Sequence, residues 1–134
     1  MLALAETAIP FASSREDEAE RWVRVLRMHG QVGGALQALG VGERPLATVA
    51  QPVVAEPSPR SDDPVGQVAR TAYIFALKRG ASLCGTVDVL FAVFEVYDKA
   101  FDRALYVRGT SREELLERLA VEAEISAHTG RVSL

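Results

Sequence analysis

Cysteine is nearly absent from this chain. Cys84 stands alone, so no intrachain disulfide can form and redox chemistry gives no support to secretion. Histidine is equally scarce, with His29 and His128 far apart, and no zinc-ligand spacing exists. A surplus of positive charge is missing too. The formal net charge of -3 argues against nucleic acid as a partner, because domains that bind phosphate backbones carry a basic excess. No apolar run approaches the roughly 20 residues that cross a bilayer, so no membrane partner is expected. Met1-Leu2-Ala3-Leu4-Ala5 is apolar and Ala12-Ser13-Ser14 mimics a cleavage site, but a basic leader is lacking and Glu6 interrupts the run. The stretch reads as a first helix, and the expected compartment is cytoplasmic.

Chemistry is equally sparse. There is no Gly-x-x-x-x-Gly-Lys-Ser/Thr loop, so ATP hydrolysis is not expected. Gly30-Gln31-Val32-Gly33-Gly34 follows a helical pattern and not a strand, which makes it a helix–helix turn and not a nucleotide loop. No nucleophile stands with a base, and no paired carboxylates suggest acid–base work. Cys84 has no cationic neighbour in sequence to activate it and reads as a small packed side chain. His29, at a helix C-terminus, is explained by the helix dipole and capping. The reading is of a protein that is not an enzyme and has no catalytic residue, metal or cofactor.

What the sequence does have is helical punctuation. Its 134 residues are 49% hydrophobic, enough for one compact core. Leu2 to Ile9 predicts a short helix stopped by Pro10. Ser14 or Asp17 caps a second, with Ala19, Trp22, Val25, Leu26 and His29 at helical spacing. Gly30 ends it, and a third runs through Val32, Ala35, Leu36 and Leu39 to Gly40, weakened by Gly33 and Gly34. From Ala47 to Pro64 the chain is too rich in proline to be helical. Asp62 or Asp63 then caps a helix with Val68, Ala72, Phe75 and Ala76 on its inner stripe, ended by Gly80. The segment from Val87 to about Val96, capped by Thr86, would pass for a strand on propensity. An apolar surface nearly all round instead predicts a central, fully buried helix. Asp98 caps the next helix, with Phe101, Ala104 and Leu105, and Gly109 stops it. Ser111-Arg112-Glu113-Glu114 is a capping box for a last helix carrying Leu115, Leu116 and Leu119.

The two halves also match at a fixed step of 69 residues: Leu36 and Leu105, Gly40 and Gly109, Leu46 and Leu115, with Ala3/Ala72, Ser13/Ser82 and Ala35/Ala104. Gly85-Thr86-Val87-Asp88-Val89-Leu90, then Ala104-Leu105 closed by Gly109, then the Ser111 capping box, resembles the second half of one repeat of a Clp N-terminal domain. That helical module heads Clp-type AAA+ unfoldases and receives their substrates and adaptors. Val87 and Asp88 stand where the family usually has Glu and His. The resemblance implies an all-α, pseudo-twofold tandem repeat of two four-helix motifs within a single domain over 1–134. Repeat one covers 1–46, a Pro-rich connector 47–64, repeat two 65–127, and a frayed tail 128–134.

By that resemblance the chain is a free-standing, adaptor-like, protein-binding module of a proteolysis and chaperone system, lacking the motor. Its partner would be a Clp unfoldase or its clients. The family's binding surface points to Glu18, Arg21, Asp62, Thr86 and Asp88 as partner-binding residues. Trp22, which reads as core, joins them as a hot-spot anchor if exposed, and Arg21 with Arg24 is either a solvated face or a site for an acidic partner. Some relatives bind phosphoarginine through a Thr and a Glu in each repeat. Here Asp62 and Val87 fall near those positions in the second repeat, and only Glu18 is present in the first, so neither pocket is complete. Two other readings stay open: a scaffold that self-associates into a homo-oligomer through a face left bare by the divergent first repeat, and a regulator with a closed small-molecule pocket. A further reading lays the connector across the domain as a self-bound peptide anchored by Val53 and Val54. The arginine-heavy basic set, with Lys78 and Lys99 the only lysines, hints at a GC-rich bacterial genome.

Overall fold

The computed structural model describes residues 1–42, 46 and 59–121, and every regular element within them is helical. The all-α class is therefore correct. The connector between residues 47 and 58, with Val53 and Val54, and the tail lie outside the described residues.

Helix α1 (Leu2–Ala8) passes at Pro10 into a 3-10 turn over Ile9–Phe11, as proline's missing N–H requires. Ser14 accepts from the Asp17 N–H at 3.1 Å and opens α2 (Arg15–Arg27). Acidic residues fill the first turn of α2 and Arg24 and Arg27 its last, which complements the helix dipole. Helix α3 (Gly30–Ala38) follows after Met28 and an extended His29. His29 thus sits at the N-terminal edge of α3 and makes no side-chain cap there.

The glycines of α3 have distinct reasons. Gly30 has φ +57°, and a β-carbon there would fall 2.7 Å from the Thr86 side chain. At Gly33 a β-carbon would meet the Arg27 carbonyl oxygen at 2.7 Å, whereas at Gly34 it would meet nothing within 4 Å. Gly33 is therefore what lets α3 dock on the end of α2, and only Gly34 weakens the helix without return.

In the second half Asp63 accepts from the Gly66 N–H and opens α4 (Pro64–Lys78). Helix α5 (Thr86–Tyr97) is a helix and not a strand. Its N-cap is Gly85 and not Thr86, because the Asp88 carboxylate reaches back to the Gly85 N–H at 2.8 Å. Asp98, with φ +45°, turns the chain directly into α6 (Lys99–Tyr106), and its side chain does not cap that helix. Asp tolerates this left-handed region better than most residues. The last described helix, α7 (112–121), starts at Ser111, whose hydroxyl accepts from the Glu114 N–H at 3.2 Å. The Glu114 carboxylate pairs with the Thr110 hydroxyl, so the predicted reciprocal bond to Ser111 is replaced by a neighbour's.

The core runs through all these helices. Trp22 and Leu26 of α2, Leu36 of α3, Leu90 and Val93 of α5, Phe101 and Leu105 of α6 and Leu115 of α7 are fully buried, each contributing about 1.5–3 kcal/mol by leaving water. Helix α5 touches α2, α3, α4 and α6. It is not buried all round, however: Phe91 and Glu95 reach the surface. Residues 1–42 hold three α-helices and the 3-10 turn, where four helices were expected of the repeat. Among the described residues, no helix is long and apolar enough to cross a membrane.

Candidate protein-binding groove

Phe91 marks an opening of about 370 Å³ between α4, α5 and α7, lined by Phe75, Phe91, Phe94, Glu95, Asp98, Arg112 and Leu116. Its floor is a chain of rings. Phe75 and Phe91 lie 6.3 Å apart, Phe91 and Phe94 6.3 Å apart at 62°, and Phe94 meets Phe101 edge-on at 5.4 Å. Such tilted geometries suit the aromatic quadrupole. The outer wall is Arg112, whose guanidinium sits 4.6 Å above the Phe94 ring and pairs with Asp102 at 2.9 Å and Asp98 at 3.3 Å. These contacts fasten the start of α7 to α6. The result is an apolar floor with a charged rim, able to hold an apolar side chain beside a polar backbone.

The residues predicted as partner-binding do not gather in this groove. Glu18 is 1% exposed and Trp22 fully buried, so neither offers a surface to a partner in this structure. Both converge on Tyr97. The Trp22 indole N–H donates to the Tyr97 hydroxyl at 3.3 Å, and that hydroxyl donates to Glu18 at 2.9 Å. The second Glu18 oxygen accepts from the Ser61 N–H at 2.8 Å. Arg15 covers the assembly: its guanidinium lies 4.9 Å from the Tyr97 ring centroid, donates to the Ser61 hydroxyl and bonds the Val96 carbonyl. This network ties the segment leading into α4 onto α2 and α5. Burial raises the Tyr97 pKa above its ordinary value, with the Glu18 charge adding to the effect.

Asp88 is also buried, at 2% exposure, and holds Arg79 through bonds of 2.9 and 2.5 Å. The Arg79 bond keeps its carboxyl below the usual range, outweighing burial, with help from the Gly85 N–H. Thr86 is half-buried against Gly30. Asp62 is exposed just before α4. Glu18 is spent on Tyr97 and Ser61, and Val87 stands at the other position of the implied pocket. Arg21 lies elsewhere, fixed by the Ala8 carbonyl at 2.8 Å and by Asp17 at 3.4 Å. At Asp17 burial raises the pKa, but the Ser13 N–H and Arg21 overcome this and leave it lowered.

Cys84 is exposed and not packed inside. Desolvation and then the Asp88 carboxylate raise its thiol pKa, against Arg79, which disfavours the reactive thiolate. Among the described residues no group of His, Cys, Asp and Glu could hold a metal ion. Comparison with protein-family models, with curated proteins and with solved structures finds no match.

Proposed function

We propose that this chain is a non-enzymatic protein-binding module of the Clp N-terminal type, which docks an unfoldase or carries a client to it and holds an apolar segment of that partner in the α4–α5–α7 groove. The observation that supports this reading is the aromatic floor, with Phe91 39% exposed on the mostly buried central helix. The tandem repeat belongs to the same proposal. Moved on by 69 residues, α2 lands within two residues of α5 at both ends and α3 within one of α6. Gly40 at φ +78° and Gly109 at +82° close the corresponding helices. The divergence is equally plain, since the buried Trp22 aligns with the exposed Phe91.

Fluorescence anisotropy of labelled casein, and of a purified Clp unfoldase, measures the binding. Wild-type protein should bind at least one of them, and Phe91→Ser should weaken the complex roughly tenfold, the usual loss at a buried aromatic anchor. No binding to either, or binding indifferent to Phe91→Ser in a folded variant, refutes the reading.

Self-association is the second reading, and α4 favours it. Tyr73, Ile74 and Leu77 are each more than half exposed and share one helix face by their spacing. In this reading the associating face is on α4 in the second half, and not on the first repeat to which the sequence points. Sedimentation velocity over a concentration series decides: a dimer that Ile74→Lys dissociates supports this reading, and a concentration-independent monomer removes it.

A further inference from the structure

Between α1 and α2 is a recess of about 140 Å³ that shares no residue with the groove above. Leu4, Ala8, Val25 and Met28 line it, together with Arg21 and Arg24. Arg21 and Arg24 stand three residues apart on α2 and so on one helix face. Their states differ. Arg21 is half-buried and fixed by Ala8 and Asp17, whereas Arg24 is exposed and makes no hydrogen bond or ion pair among the described residues. Among the described residues no carboxylate lines the recess, and Met28 in its wall is 60% exposed.

An apolar floor with a free guanidinium at its rim fits an apolar group joined to a carboxylate. The size selects among such groups. An engineered apolar cavity of about 150 Å³ takes up benzene, so this one admits a single aliphatic side chain and is too small for a long acyl tail. We propose that the recess binds the C-terminal residue of a partner protein, with an aliphatic side chain such as leucine in the recess and its free α-carboxylate on Arg24. Arg21 is already paired with Asp17, so the unpaired Arg24 carries the contact and Arg21 serves as a fixed wall. Charge-assisted bonds from guanidinium to carboxylate are about twice as strong as neutral ones, so the ligand's charge decides the affinity.

The test is chemical-shift mapping with the peptide Gly-Ser-Gly-Ser-Leu at millimolar concentration, as free acid and as C-terminal amide, beside decanoate. The free acid should shift α1 and α2 resonances and bind roughly tenfold more tightly than the amide. Arg24→Gln, at an exposed position, should reduce the acid to the level of the amide with the far-UV spectrum unchanged, and Met28→Ser should weaken both forms alike. Equal binding of acid and amide, no effect of Arg24→Gln, or shifts with decanoate alone overturns the proposal. The groove reading rests on other residues and survives or fails separately.

Discussion

Tyr97→Phe removes one oxygen from the centre of the buried network and leaves the ring, so it isolates what the hydroxyl contributes. Two interior groups lose their partner at once: the Trp22 indole N–H and one oxygen of Glu18. An abandoned buried donor or acceptor costs about 1–3 kcal/mol, more when it is charged. Glu18 keeps its bond to Ser61, so the expected loss is about 2 kcal/mol. Urea unfolding reads this directly, because Trp22 is the chain's only tryptophan and sits inside the network. With a slope of about 2 kcal/mol per molar urea, the midpoint should fall by about 1 M with the slope unchanged. Circular dichroism followed in parallel keeps a local change at Trp22 from being mistaken for global unfolding. Glu18→Gln on the Tyr97→Phe background should cost less than Glu18→Gln alone, since the contact between them is already gone. A loss below about 0.5 kcal/mol, the range of ordinary surface substitutions, refutes the argument that the hydroxyl bridges two buried groups.

Gly33→Ala should destabilise the protein despite alanine's better helix propensity, because its methyl would press on the Arg27 carbonyl, while Gly34→Ala in open space should stabilise by up to about 1 kcal/mol; thermal melts of both decide. Asp88 has a lowered pKa in the folded state, so its contribution is complete above the unfolded value of 3.8 and fades as pH falls through the folded one. Asp88→Asn should therefore cost about 1–2 kcal/mol near neutral pH, and urea titrations should find the difference shrinking in acid. Tyr97 has the opposite sign: its raised pKa stabilises below the unfolded value of 10.0 and is lost as pH rises through the folded one. An alkaline absorbance titration should show one of the three tyrosines ionising late, and Tyr97→Phe should abolish that component.

The ends of the helices were legible because they depend on nearest neighbours. Pro10, Ser14, Gly40, Asp63, Gly80 and Ser111 each carry a local physical reason that holds in the structure. Thr86 was misplaced as a cap because the Asp88 bond to Gly85 fulfils the same need one residue earlier. The networks were out of reach for another reason: Tyr97 meets Glu18 across 79 positions and Arg15 meets Val96 across 81, and no local pattern announces such pairs. Trp22 and Phe91 fall at equivalent steps with opposite exposure, a difference that tertiary packing alone decides. The groove did leave one trace, an apolar surface around α5 too wide for its neighbours to cover.

The placement of α2 has a consequence for how the protein is made. Its most extensive packing is against α6, followed by α3 and α5, so Trp22, Val23 and Leu26 stay incompletely covered until Tyr106 has left the ribosome. At about 5–20 residues per second this interval is roughly 4 to 16 s. Throughout it part of the apolar face of α2 stays open to water, although the segment that carries it is already complete.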